Sequence, residues 1–224
     1  MNNIYFFLLF TIIMFVGFIF AKKFFGKNAL FVIGIGSVIG ANIYNANAIP
    51  IQLGGLILGI DSVVYTLFVF SAIIMHLYYG KYSMREVLYS AVGSIFLTSL
   101  LSFTGNAFQV GVTDAVIYNS LSYFFSILGT VVAIEIMIYI FDKLKKKNIN
   151  IYLNIAIGLI IASLVNSAIY YGLAFLAFGG LGDVFVQTLA GSYVGKGISL
   201  LFCLGAYYFG TLLDKRKKVK EIKN

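Results

Sequence analysis

The 224 residues are 61% hydrophobic and only 11% charged, with 16 Lys and Arg against 8 Asp and Glu for a net charge of +8. Mean hydropathy is +0.97, and soluble domains carry about 25% charge, so a soluble fold is excluded. A single Cys excludes an intrachain disulfide and a cysteine-built metal site.

A transmembrane helix needs roughly 20 mostly apolar residues. Runs that meet this need cover approximately 4–21, 29–48, 56–79, 87–103, 115–141, 151–176 and 184–210. They predict an all-α polytopic membrane bundle of about seven spans, or six if the first and shortest run is not one. Almost nothing remains outside the bilayer, so residues 1–224 form a single membrane domain, with 211–224 as a basic cytoplasmic tail.

The first run begins without a basic segment and is followed by Lys22 and Lys23. That order reads as a retained helix with its N-terminus outside, with a cleaved leader as the alternative. Lys22, Lys23 and Lys27 fill the first gap, Lys81 and Arg85 the third, Lys143 and Lys145–Lys147 the fifth, and six Lys and Arg the tail. The gaps between hold none, and basic residues at span ends stay cytoplasmic. Only an odd number of spans puts all four clusters inside, which gives an N-out, C-in topology. The clusters also touch anionic lipid head groups, so no nucleic-acid partner is expected.

The second run carries Gly36 and Gly40, and the last carries Gly191 and Gly195, spacings that let helix backbones approach in a membrane. Asn42, Asn45 and Asn47 follow in the second run, Asn42 and Asn45 on one face. Amides facing lipid would be unsatisfied, so they must face protein, water or ligand. Asp61 opens the third run as a cap or as part of an outer vestibule, and His76 lies near its cytoplasmic end. Asp114 and Asp183 precede helical runs and read as N-caps.

Glu135 in the fifth run, Asn166 in the sixth and Lys196 in the seventh complete the polar set. Lys196 is the only Lys or Arg outside the clusters, too deep to snorkel easily, and intramembrane charges mark functional sites. Glu135 is a candidate partner for it, about 10 Å away in depth at 1.5 Å per residue. Glu135 can equally reach the Lys143–Lys147 cluster. Asn42, Asn45, Glu135, Asn166 and Lys196 are the candidate substrate-binding residues, with many Tyr and Phe rings on which a flat ligand can stack. No GxxxxGK[ST] is present, which leaves secondary transport or borrowed energy.

Three stretches carry a resemblance to a known family. Ala41-Asn42-Ile43 is similar to an Ala-Asn-Ile motif. The third run ends in Tyr79-Gly80-Lys81 after Phe70. Val165-Asn166-Ser167, Ala174-Phe175 and Gly191-Ser192-Tyr193-Val194-Gly195-Lys196 resemble Val-Asp-Ser/Thr, Ala-Phe and Gly-Gln-Tyr-x-x-Lys. Together they resemble the vitamin uptake family whose characterised members are queuosine precursor transporters. The resemblance spans most of residues 25–210 and implies an importer of 7-deazaguanine precursors such as preQ0 or preQ1 in a bacterial inner membrane. It implies no cofactor and no enzymatic step, and it puts roles on Asn42, Asn166 and Lys196. Asn166 stands where the family has Asp, Ser192 where it has Gln, and the third-span acids are missing. Other classes consistent with the sequence are a substrate-binding subunit of an energy-coupled complex, a homo-oligomer or partnered carrier, and a non-transporting membrane protein.

Overall fold

Gly26 folds the first helix back on itself. The computed structural model describes residues 2–46, 51–53, 56–111, 113–178 and 182–223; within these ranges the backbone alone is described for residues 2–3, 42–46, 51–53, 110, 114–115, 118–119, 178, 182–185 and 214–223. Helix α1 covers Asn2–Ala46, broken at Gly26, whose φ of 57° and ψ of −128° suit only glycine. The two halves meet as a hairpin: Phe10 and Met14 of the first line one cavity with Ile33, Gly36 and Gly40 of the second. A small two-stranded hairpin follows, β1 (Ile51–Leu53) and β2 (Leu56–Leu58), antiparallel with Ile51 opposite Leu58. Then come α2 (Asp61–Tyr79), α3 (Lys81–Val110), α4 (Asp114–Lys146), α5 (Ile151–Phe178) and α6 (Gly182–Lys223).

Six helices among the described residues are long and apolar enough to cross a membrane, so the chain is an all-α membrane bundle. The fold at Gly26 reconciles six helices with seven apolar runs. At 1.5 Å per residue α1 would span about 68 Å, roughly twice a 30 Å hydrocarbon core. Its halves run in opposite senses along α2. In the first half Phe15 and Phe18 meet Phe70, and Lys22 sits 4.3 Å from the Tyr78 ring. In the second half Gly34 lies against Phe68 and Ser71, and Gly40 against Val64.

Helix α2 is the centre. Every residue from Ser62 to His76 is buried, as expected of a helix apolar on all sides. Gly80 ends it at φ 87°, its N–H donating to the His76 carbonyl at 3.1 Å. The basic gaps gather at this end of the bundle: Lys27 pairs with Glu86 at 3.3 Å, and Lys22 approaches Gly210.

Several boundaries differ from the sequence reading. Residues 56–58 form β2 rather than the start of the third span, because the hairpin pairs their backbone before α2 begins. α3 starts at Lys81 and runs through the expected 104–114 gap to Val110. α6 continues through the basic tail to Lys223. Thr113, not Asp114, caps α4, its hydroxyl accepting from Val116 N at 3.4 Å, because Asp114 is already the first helical residue. The side chains of Asp114 and Asp183 lie outside the described residues.

Candidate functional site

Four helices each bring a pair of polar residues spaced by four into the half of the bundle away from the basic end. On α2 the pair is Asp61 and Tyr65, on α4 Ser126 and Thr130, on α5 Asn166 and Tyr170, on α6 Ser192 and Lys196. Residues four apart share one helix face, so each pair looks the same way. All but Thr130 and Ser192 line one cavity, together with Ala41 and Tyr171. It measures about 20 Å³, and a water needs about 10–15 Å³ by this measure. The site is therefore closed down to the size of a water molecule.

Glycines set the approach of the walls. A Cβ on Gly191 would collide with the backbone of Ile57 in β2, and one on Gly195 would lie 3.0 Å from Ser62 Cβ. The two are one turn apart, so α6 presses on the hairpin and on the start of α2 while turning Ser192 and Lys196 inward. This is the close packing expected of the Gly191 and Gly195 spacing. On the opposite wall a Cβ on Gly129 would lie 3.1 Å from Asn166 Nδ2, so α4 and α5 touch where Asn166 enters. Gly59 leaves room for the Asp61 carboxylate, which folds over it. Gly36, by contrast, has nothing within 4 Å of the place a methyl group would take.

Lys196 is 6% exposed and Asn166 7%. The Lys196 ammonium donates to Ser167 Oγ at 2.5 Å and lies 3.5 Å from Asn166 Oδ1. It also stands 4.7 Å from the centroid of the Tyr65 ring, a cation–π distance. Asn166 Nδ2 in turn lies 3.5 Å from Thr130 Oγ1, and the Ser167 and Ser192 hydroxyls are 3.5 Å apart. The Tyr65 hydroxyl is buried beside Thr130 and makes no hydrogen bond of ordinary geometry among the described residues. Asp61 lines the same cavity and lies within electrostatic reach of Lys196, without a direct ion pair between them. The ammonium thus rests on neutral oxygens and a ring face, and its counter-charge is held back from it.

Glu135 is not part of this group. Arg85 takes its carboxylate in a two-pronged pair, Nε to Oε1 at 3.1 Å and Nη2 to Oε2 at 2.8 Å. Glu135 lies five residues beyond Thr130 toward the basic end, so the guanidinium there is nearer than Lys196 and neutralises it. The expected Glu135–Lys196 pairing is thereby corrected, as is a contact with the Lys143–Lys147 cluster. His76 also belongs to that end, its Nε2 2.7 Å from Asp142 Oδ1. Asn42 and Asn45 lie on α1 just beyond Ala41, but their side chains are outside the described residues, as is Asn47.

Asn166 and Lys196, both candidates from the sequence, meet in one cavity. Asp61 reads in the sequence only as a cap or vestibule residue, and Tyr65, Ser126, Thr130 and Ser192 are not candidates there. Their signal is present nonetheless: polar residues recurring at i, i+4 within otherwise apolar runs. Cys203 is fully buried, in keeping with a small apolar filler. No protein-family model, no curated protein and no solved structure matches the chain.

Proposed function

We propose that this protein is a secondary membrane transporter, an importer or facilitator, for a small flat heterocycle, with the Asp61–Asn166–Lys196 cavity as its binding site. By the family resemblance the substrate is a 7-deazaguanine precursor of queuosine, and the membrane is the bacterial inner membrane. One observation carries the reading. An ammonium, a carboxylate, an amide and three tyrosines converge on a closed polar cavity inside an apolar bundle, where each polar group is costly and needs a reason to be kept. Amides and hydroxyls can read the edge of a heterocycle, and Tyr rings can stack on its faces.

The closed cavity holds about one water, so binding requires the helices around it to separate, and release on the other side requires them to separate again. That is alternating access around a fixed site. The Lys27–Glu86, Arg85–Glu135 and His76–Asp142 contacts tie the helices together at the basic end, which suits a state closed on that side.

The test is uptake of radiolabelled 7-deazaguanine into proteoliposomes containing only this protein, compared with empty liposomes and with the Lys196→Met protein. Saturable uptake by the native protein, lost in Lys196→Met, supports the reading. Uptake no greater than in empty liposomes overturns it.

A further inference from the structure

The first half of α1 and α6 leave an apolar groove of about 420 Å³ between them. Phe15 and Ala206, nearly fully buried, form its floor, and the exposed Ile12, Val16, Leu201 and Phe209 its rims. Gly205 gives it depth. Nothing lies within 4 Å of the place its methyl group would take, so a side chain there would enter the groove.

The groove has one cationic end. Its α1 residues Ile12, Phe15, Val16 and Ile19 recur at helical spacing, and Lys22 and Lys23 are next on that face. The Lys22 ammonium stands 4.3 Å from the centroid of the Tyr78 ring and 4.0 Å from where a Cβ on Gly210 would lie. Gly210 directly follows Phe209, so this cation sits between the two helices where the groove stops. From Ile12 to Lys22 the helix rises about 15 Å at 1.5 Å per residue, half of a hydrocarbon core of about 30 Å. The groove is therefore one leaflet deep. A spanning helix of a partner would need a groove through the whole core. An acyl chain hanging from a phosphate needs this length and this order, apolar along the groove and cationic at its end. A zwitterionic head group would bring its own ammonium up to Lys22 and Lys23, whereas an anionic one brings none.

We propose that the groove holds one acyl chain of an anionic phospholipid from the leaflet at the basic end, with the head-group phosphate at Lys22. The site lies on the outside of the bundle and does not depend on what the Asp61–Asn166–Lys196 cavity binds.

The chain contains no Trp, so Phe209→Trp places a single reporter on the rim. The full chain is reconstituted into phosphatidylcholine nanodiscs with a rising share of phosphatidylglycerol, or of phosphatidylcholine, brominated on its acyl chains, and quenching of the Trp is read. Half-quenching should need about fivefold less brominated phosphatidylglycerol than phosphatidylcholine, the worth of one lysine near an anionic head group. Lys22→Gln in the reporter protein should abolish the difference. Lys27→Gln should preserve it, since that charge meets Glu86 and does not line the groove. A lone reporter at the exposed Ile160 of α5, Ile160→Trp, should show no difference. Equal quenching of the Phe209→Trp protein by the two lipids would overturn the site, as would a difference that persists in Lys22→Gln or in Gly205→Leu, which fills the groove. Quenching by neither lipid, with a dimer in analytical ultracentrifugation, would give the groove to a second copy and overturn it too. Ile12→Trp, on the α1 rim, replaces Phe209→Trp if that protein fails to fold.

Discussion

The two ends of this bundle treat charge in opposite ways. At the basic end, carboxylates and cations are paired directly and stay partly open to solvent, Arg85 with Glu135 at 2.8 Å and Lys27 with Glu86 at 3.3 Å, while the buried His76 ring contacts the Asp142 carboxylate at 2.7 Å. In the cavity toward the other end, Lys196 is almost fully buried, yet its contacts are to Ser167, Asn166 and the Tyr65 ring, and Asp61 lines the cavity without pairing directly with it. A direct pair satisfies itself and asks nothing of a ligand. Direct ion pairs gather at the basic end, and Lys196 and Asp61 share their cavity without one.

The largest expected effect comes from removing the buried ammonium. Lys196→Met keeps the length of the side chain and should lower uptake of 7-deazaguanine by about 100-fold or more, the scale seen when buried polar groups of a site lose their match. Insertion into the membrane, followed by fractionation, should persist. The change also leaves Asp61 as a buried charge without its counterpart, so stability should fall as well. Adding Asp61→Asn should return the melting midpoint in detergent toward the native value without restoring uptake. A double variant less stable than either single one would show that the two charges do not feel one another, and the contrast between the ends would fail.

Next in size is the packing that brings the cavity walls together. Gly191→Ala puts a methyl group into the backbone of Ile57, and because backbone cannot swing aside the cost should be about 1–3 kcal/mol. Gly36→Ala adds the same methyl group where nothing lies within 4 Å and should be neutral or slightly stabilising, by up to about 1 kcal/mol. Midpoints measured side by side decide the matter. Equal destabilisation by the two changes would show that helix interior, not close approach, governs both.

Much of this is legible in the residues. Apolar runs and the alternation of basic gaps carry the bundle and its two unlike ends, because span length and cytoplasmic retention of Lys and Arg act locally along the chain. Lys196 and Asn166 are legible because a polar group in an apolar run is conspicuous wherever it falls. Partnership is not legible. Depth arithmetic sets Glu135 about 10 Å from Lys196 but cannot show that Arg85, on a different helix, is closer. Asp61 looks like a cap because it sits at a helix start, and only the placement of α2 in the middle of the bundle turns that start toward Lys196. The β1–β2 hairpin escapes a sequence reading because Ile51–Leu58 is as apolar as the span after it, and periodicity cannot separate short apolar strands from helix.

A third prediction tests the basic end itself. Arg85 and Glu135 are 38% and 35% exposed, so Arg85→Ala should lower the melting midpoint only slightly despite its two-pronged geometry. Uptake should stay within about twofold of native, since an exposed pair is worth little and the residue lies outside the cavity. Loss of uptake comparable to that of Lys196→Met would mean that this pair takes part in the transport cycle and would dissolve the division between the two ends.

The smallest effect belongs to Lys27 and Glu86, which are 43% and 58% exposed and 3.3 Å apart. Pairs of this kind contribute about 0–0.5 kcal/mol, because both long side chains lose freedom to meet and water already solvates each charge. Lys27→Ala should therefore shift the melting midpoint barely beyond error in dilute buffer. Raising the salt to about 1 M shortens the screening length to about 3 Å, the length of the pair itself, and should erase the difference. The same salt should leave the penalty of Lys196→Met unchanged, since ions do not enter a cavity that holds a single water. A Lys196→Met penalty that shrinks with salt as the Lys27→Ala penalty does would mean that solvent reaches both ends alike, and that burial does not set the buried ammonium apart from the exposed one.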